Sequence, residues 1–305
     1  MNPLVVTIIV HYRAVNECLQ LIKDLQSIDY PNHQCLIVDN STDDDVYNEL
    51  NEKLAFPYVH LIRNKRNNGY GGGINFGIRH AASLSPSFYH IINTDTRIIS
   101  KTYISQLVNC FKKSPNVGLI GPGVANALGG IQNTIMDFPS LYNAFFFRKK
   151  HSEGSIIESA PKLIPVDVIN GVCFMVRAVA FNKTVGFDED YFMYGEEHDF
   201  CYRLQRAGFK VCFWSGKAIL HEESHKTKNN SFSWRAAIVR INQVMYLRKR
   251  SKFLEATILS MLFAITIILK KIKGHSFSEA SLRETISGLF NPESFNQRII
   301  EMLNK

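Results

Sequence analysis

The chain has no Cys-x-x-Cys pair, and its six cysteines, Cys18, Cys35, Cys110, Cys173, Cys201 and Cys212, are scattered through runs such as GVCFMV and KVCFW. That spacing excludes a zinc ribbon and a disulfide framework; thiols so placed act as small core residues and suit a reducing cytoplasm. A P-loop of the form GxxxxGK[ST] is missing, and the glycine run NNGYGGGINFG fails the GxGxxG dinucleotide spacing at its last position. The N-terminal MNPLVVTIIVHYR carries no basic n-region, so the reading expects no signal peptide. Internal repeats and low-complexity tracts are absent too. Acid is scarce towards the C-terminus: from Arg235 to Lys305 there are twelve Lys/Arg against five Glu, a balance of +7 within a net charge of +8.

The chain has 305 residues, 46% of them hydrophobic and 20% charged, enough to bury a full core. It reads as a large domain over 1–230 followed by a basic helical extension over 231–305. A basic extension implies an anionic partner. Nucleic acid is disfavoured, because no nucleic-acid motif is present and the basic clusters flank an apolar run from Phe253 to Leu269. An anionic membrane surface fits that layout, the extension holding the protein at the inner face of the cell membrane. The charge-free part, Ala256 to Leu269, would give about 21 Å of helix against a hydrocarbon core of roughly 30 Å. The expectation is a helix lying in the interface or packed on the larger domain.

The first half alternates strand and helix. Val5–Val10, Cys35–Asp39, Val59–Arg63 and Phe88–Asn93 read as buried strands, and Val15–Leu25 and Ile104–Phe111 as helices. A glycine-rich turn leads into a further helix through Asn75 and His80. Such alternation predicts an α/β fold with a largely parallel sheet and a ligand site at the carboxyl ends of its strands, where Asp39 and Asp95 fall. Gly129–Pro161 reads as an irregular exposed loop and Val166–Arg177 as a strand. Glu196–Ala207 reads as a helix closed by Gly208, and Lys210–Phe213 as a short strand.

Chemistry concentrates between Asp188 and Gly208. Asp188, Glu189, Asp190, Glu196, Glu197 and Asp199 lie within twelve residues. They repel one another, so they either handle a cation, a sugar or a proton or form a solvated acidic helix start. Asp39, in LIVDNSTDDD, is an Asx turn or a ligand for a nucleotide base or ribose. The glycines at 69, 71, 72, 73 and 77 make a flexible loop or a backbone cradle for phosphate at a helix start. Asp95, just beyond a buried strand in Asn93-Thr94-Asp95-Thr96, is a turn residue or a ligand for a hard divalent cation.

The ordered set VDNSTDD, NNGYGGGINFG, FYHIINTDT, INGVCFMVR, GFDEDYFMYGEEHDFCYRLQRAG and LHEESH resembles the family 2 glycosyltransferases. These have a GT-A, Rossmann-like nucleotide-diphospho-sugar transferase fold. Within the family the set is most similar to bacterial rhamnosyltransferases of polysaccharide assembly, over roughly residues 4 to 225. The resemblance implies that Asp39 contacts the donor's base or ribose, and that Asn67, Gly69, Gly72 and Asn75 line the nucleotide pocket, with Asn93 beside the same donor. It implies that Asp95 is the metal-binding acid of a DXD-like motif, here Asn-Thr-Asp, that Gly171 lies beside the donor sugar, and that His221 approaches the metal or the diphosphate. Glu196-Glu197-His198-Asp199 stands where Glu-Asp-x-Asp is usual, and the first pair supplies the catalytic base. The chain departs from the pattern at Arg13, Ile74 and Glu197, and the last departure leaves the base open between Glu196 and Glu197.

The expected reaction is an inverting sugar transfer. Glu197 or Glu196 takes the proton of an acceptor hydroxyl, Mg²⁺ or Mn²⁺ held at Asp95 neutralises the leaving diphosphate, and Asp199 orients the acceptor or the helix start. The donor expected first is dTDP-L-rhamnose, with UDP-hexoses next, and the acceptor is a glycan or lipid-linked glycan. A non-catalytic nucleotide-sugar-binding protein, or a hydrolase using the same carboxylates, is the competing class.

Overall fold

The computed structural model describes residues 2–126, 130–145, 161–221, 234–273 and 279–304. Of the expected irregular loop at Gly129–Pro161, residues 129 and 146–160 lie outside them, while the described stretch 130–145 holds two short strands and a short helix; the boundary at 230/231 and the residues of LHEESH after His221 also lie outside. Strands β1 (Val5–His11), β2 (His33–Asp39), β3 (Val59–Arg63) and β4 (Phe88–Ile92) run parallel in the order β3-β2-β1-β4. Helices α1 (Val15–Gln26), α2 (Asp44–Lys53) and α3 (Gly69–Ala81) form the crossovers. Then come β5 (Thr96–Ile98), α4 (Tyr103–Lys113), β6 (Val117–Asn126), the short β7 (Ile131–Gln132) and β8 (Ile135–Met136), and α5 (Leu141–Phe145). After the gap follow β9 (Leu163–Pro165), β10 (Val168–Ile169), β11 (Cys173–Arg177), α6 (Ala178–Lys183), α7 (Glu196–Arg206) and β12 (Lys210–His221).

The sheet continues as β4-β11-β6-β12-β5, and β11 lies antiparallel to both its neighbours. It is therefore parallel in two blocks, β3-β2-β1-β4 and β6-β12, with β11 reversed between them and β5 antiparallel to β12 at the end, where the sequence suggested a largely parallel sheet. The expected strand over Val166–Arg177 is two strands broken by a turn at Asn170-Gly171, and the short strand at Lys210 runs on to His221 through register shifts against β6. Both sheet faces are covered. Val5, Ile9 and Ile37 point towards α1 and α4, while Val6, Ile8, Leu36 and Val38 point towards α3, α6 and α7. This two-sided burial explains why those strands read as continuous apolar runs.

Four helices follow: α8 (Trp234–Arg248), α9 (Phe253–Ile272), α10 (Glu279–Phe290) and α11 (Pro292–Leu303). They build a third core from Ile238, Ile241, Leu259, Ile267, Leu289 and Phe295, among others, and Phe192 of the preceding loop is buried within it. Each such side chain contributes about 1.5–3 kcal/mol through burial, so the extension is welded to the loop that leads into α7. Helix α9 buries Ala256, Leu259, Ser260, Phe263, Ala264 and Ile267 and exposes Leu254, Met261, Ile265, Ile268, Leu269 and Ile272. By length and composition it could cross a membrane, yet a third of its most apolar window is covered by protein.

Candidate active site

The carboxyl ends of β1, β2 and β4 meet the start of α7. At the tip of β2, Asp39 is fully buried and accepts from His11 Nδ1 at 3.0 Å, from the Ser41 amide at 3.2 Å and from the Ser41 hydroxyl at 3.0 Å. Burial pushes its carboxyl up, but the His11 and Ser41 hydrogen bonds outweigh that and hold it below the ordinary carboxylate value. Beside it, Asn64 Nδ2 donates to Asn40 Oδ1 and Asn40 Nδ2 to Asn67 Oδ1, each at 2.9 Å, and the Gly69 amide also donates to Asn67 Oδ1. This ladder ties the tips of β2 and β3 to the first turn of α3.

The glycine run belongs to α3 itself and forms no loose loop. A Cβ on Gly73 would meet Val10, and one on Gly77 would meet Val38 and Ile8, so these glycines let the helix sit close on the sheet. A Cβ on Gly72 would meet Asn68, with Glu189 behind it. Gly69 has φ +78° and presents its Cα to the Phe192 carbonyl, 1.8 Å from where a Cβ would stand. Asn75 is locked, donating to the Phe187 carbonyl and to Glu189 Oε1 and accepting from the Phe187 amide, each at 2.9 Å. Its side chain thus holds the acidic turn against α3.

Four of the six clustered acids are neutralised within the fold. Asp188 and Asp190 share Lys249 Nζ at 2.7 and 2.6 Å, Asp199 takes Arg203 and Arg250 at 2.6 Å each, and Glu189 meets Arg79 at 3.4 Å. Asp199 is buried with both oxygens taken, so it fixes the first turns of α7 to the segment just after α8. Burial and Arg250 hold His198 down at about 4, so this residue is neutral and adds no counter-charge. Glu196 and Glu197 are left with no ion-pair partner among the described residues.

These two differ in surroundings. Glu196 is 1% exposed and its Oε2 has no hydrogen-bond partner. Burial, then the neighbouring Glu197 charge, push its pKa well above the carboxylate range. Glu197 is partly exposed, with Oε1 accepting the Gly171 amide at 3.0 Å and Oε2 the Gly195 amide at 3.3 Å. Burial raises it as well, while those two amides act in the opposite direction. The Tyr70 hydroxyl donates to the Gly171 carbonyl at 2.6 Å, closing a ring of α3, the β10–β11 turn and α7.

Gly171 precedes the pair Cys173–Ile92, and the Asn93 amide donates to the Val172 carbonyl at 3.0 Å, so Gly171 and Asp95 share one edge of the sheet. Asp95 is 41% exposed, and its Oδ2 stands 3.2 Å from His221 Nε2, because Thr96 of β5 pairs with His221 of β12. His221 Nδ1 is 2.8 Å from Gln132 Oε1. In the tautomer that donates from Nδ1 to that oxygen, the Nε2 lone pair faces the Asp95 carboxylate, an arrangement that a cation between the two groups satisfies. A carboxylate and an imidazole at a solvent-open edge fit a divalent ion that completes its shell with water and phosphate oxygens. No cluster of three or more His, Cys, Asp or Glu occurs among the described residues.

Sequence reasoning missed Tyr70, His11, Asn242, Asn296 and Asn304, all of which hold site segments. Asn242 and Asn296 sit at buried phases of α8 and α11, between apolar neighbours such as Ile241 and Phe295. A polar amide in an apolar stripe was the available signal.

The family model described as "Glycosyltransferase like family 2" matches residues 3–240. The chain is 30% identical over 205 residues to the low-salt glycan biosynthesis hexosyltransferase Agl10 of Haloferax volcanii, covering 67% of this chain and 62% of that protein. It is 27% identical over 218 residues to the N-acetylglucosaminyl-diphospho-decaprenol L-rhamnosyltransferase of Mycobacterium tuberculosis, covering 66% of this chain and 70% of that one. Among solved structures, the mannosyltransferase PcManGT of Pyrobaculum calidifontis, in complex with GDP-Man and Mn²⁺, superimposes with a TM-score of 0.52 at 14% identity, over 99% of this chain and 74% of its own. That likeness and the strand order give the GT-A-like fold with a helical C-terminal region.

Proposed function

We propose that this chain, which belongs to the family 2-like glycosyltransferases, is a metal-dependent inverting transferase acting on a glycan or lipid-linked glycan in cell-surface polysaccharide assembly. L-Rhamnose from dTDP-L-rhamnose is the first donor and UDP-hexoses are next. Rhamnose is favoured by the name of the mycobacterial relative, which also names a diphospholipid acceptor. The carrying observation is the uncompensated pair Glu196–Glu197 at the start of α7, one residue type from the expected acidic motif and hydrogen-bonded to Gly171. Four neighbouring acids are paired with cations; these two have no cation, which costs stability and marks them as the groups that handle a proton.

Glu197 is the better-placed base. It reaches solvent, its ring of amides fixes the carboxylate, and burial raises its proton affinity above that of a free carboxylate, which favours proton acceptance. Glu196, buried behind it, is held towards the protonated form by burial and by the neighbouring Glu197 charge, which leaves Glu197 as the member of the pair that carries the charge. Asp95 and His221 would hold Mg²⁺ or Mn²⁺, which when bound offsets the charge of the departing diphosphate. Asp39, Asn67 and the start of α3 form the wall that would take the nucleotide. A panel of nucleotide sugars, assayed for diphosphate release with and without chelator and for the anomeric configuration of the product by NMR, tests the reading. Free sugar released without acceptor would make the protein a hydrolase, and donor binding without turnover a binding protein.

The membrane partner rests on α9. Its exposed row of Leu254, Met261, Ile265, Ile268 and Ile272 follows helical steps of seven, four, three and four residues, with Lys252 at one end and Lys270, Lys271 and Lys273 at the other. Such a face lies on an anionic bilayer from the cytoplasmic side, apolar burial adding to charge. Flotation with anionic vesicles should be weakened by high salt without being abolished, and removed by Ile265→Glu with Ile268→Glu. Complete elution by salt would leave charge as the sole contact.

A further inference from the structure

Helix α11 touches both walls of the candidate site, although it lies more than a hundred residues from either. Asn296 is fully buried, and its Oδ1 accepts the Phe192 amide at 3.1 Å. Its Nδ2 donates to Asn242 Oδ1 at 2.7 Å and to the Pro292 carbonyl at 3.0 Å. Asn242 in turn donates to the carbonyls of Met193 and Tyr194 at 2.9 and 2.7 Å. Two side-chain amides thereby fix three successive backbone units just before Gly195 and the Glu196–Glu197 pair. Eight residues further on, Asn304 Oδ1 accepts the Asn67 amide at 2.7 Å and Asn304 Nδ2 donates to the Asn67 carbonyl at 2.9 Å. That double bond imitates a strand pairing at the entrance to α3.

The two grips are joined inside the site. The Phe192 carbonyl, whose amide is held by Asn296, accepts from the Tyr70 amide at 3.1 Å. Tyr70 holds Gly171 through its hydroxyl, and Gly171 donates to Glu197. An unbroken chain of hydrogen bonds thus runs from α11 through Phe192, Tyr70 and Gly171 to the carboxylate placed above as the base. Eight helical residues span about 12 Å, a fixed ruler between the loop at 67 and the loop at 192.

We infer that α11 is a strut that sets the spacing of donor and acid loops, with Asn296 and Asn304 as positioning residues. This rests on the functional reading above. Because the grips act on different loops, their loss has different signatures. Asn296→Ala is expected to lower kcat about tenfold or more with donor Kd unchanged, since small misplacements of a base are costly. Asn304→Ala is expected to raise donor KM several-fold with a smaller effect on kcat. Met302→Ala, on the exposed side of the same helix, should change neither.

Hydrogen exchange supplies a readout independent of turnover. The Phe192 amide should exchange at least tenfold faster in Asn296→Ala, and the Asn67 amide in Asn304→Ala, while Ile8 and Ile37 amides of the central sheet stay protected. Asn296→Asp keeps an oxygen for the Phe192 amide and should restore part of its protection. Asn304 is only partly buried, so its variant folds even if Asn296→Ala does not, and it carries the test alone in that case. Unchanged exchange at both amides, or exchange accelerated uniformly through the sheet, overturns the strut. A wild-type protein that transfers no sugar while those amides respond as stated overturns the functional reading and leaves the strut standing.

Discussion

Replacing Glu197 and Glu196 separately by Gln should give opposite signatures in stability. The two Glu197 oxygens each accept a backbone amide, from Gly171 and from Gly195. Glutamine offers one oxygen and one NH₂, so one amide loses its acceptor and faces another donor. An unpaired buried donor costs about 1–3 kcal/mol, in addition to the ~10²–10⁴-fold loss of turnover expected when a positioned base is removed. Glu196 is the reverse case, because its Oε2 has no partner and its pKa is raised by burial and by Glu197. An acid whose folded pKa is raised contributes stability fully present below the unfolded value, ~4.3, and lost as pH rises through the folded one. Glu196→Gln removes that loss, so its stability relative to wild type should grow as pH rises above the unfolded value of ~4.3. Thermal unfolding at rising pH, with turnover at saturating donor and acceptor, checks both. A Glu196→Gln advantage that shrinks as pH rises refutes the buried-pair argument. Turnover kept in Glu197→Gln but lost in Glu196→Gln would exchange the roles of the two residues, and no rate loss in either would end the catalytic reading of the cluster.

Asp95→Ala should abolish divalent-metal-dependent turnover with an unchanged melting temperature, since the side chain is 41% exposed; chelator-insensitive activity at the wild-type level would sink the metal role. Asp39→Ala should raise donor KM more than it lowers kcat, by freeing His11 and Ser41 at the nucleotide wall, and an unchanged KM would reduce Asp39 to a turn residue. Gly69→Ala should unfold or empty the donor site, whereas Gly208→Ala, with φ +91° and open space around it, should cost only the ~1–2 kcal/mol of left-handed strain; equal losses would mean that the Phe192 carbonyl can yield. Arg250→Met should destabilise by about 1.5–3 kcal/mol, because it removes one charged hydrogen bond to buried Asp199 and leaves Arg203 as its partner, and adding Asp199→Asn should recover part of the loss in chemical denaturation.

The strands that carry the site were legible because both faces of β1, β2 and β4 are buried, which leaves an unbroken apolar run with its acid at the end. Asp39 and Asp95 were found that way. The reversed strand β11 was not, since VDVINGVCFMVR gives one apolar pattern for two strands and the turn between them depends on Tyr70 and Glu197, which are distant in sequence. Charge clustering marked the segment 188–199 but could not say which of its acids were free of cations. Lys249 and Arg250, about sixty residues on, decide that by pairing with Asp188, Asp190 and Asp199. The glycine run signalled close backbone approach correctly, although its neighbours are sheet side chains and the Phe192 carbonyl.

The bond between Asn67 and Asn304 spans 237 positions, and this has a consequence for synthesis. At roughly 5–20 residues per second, a ribosome adds that stretch in about 12 to 47 s. Throughout that interval the entrance to α3 lacks its partner; β1 to β4 can pair once Ile92 has emerged, and the segment at 192–194, once made, waits for Asn242 and Asn296. The sheet is thus available early and the site late. A nascent chain of this protein carries its carboxylates past every possible substrate before they are held in working order, and acquires that order only once α11 has emerged.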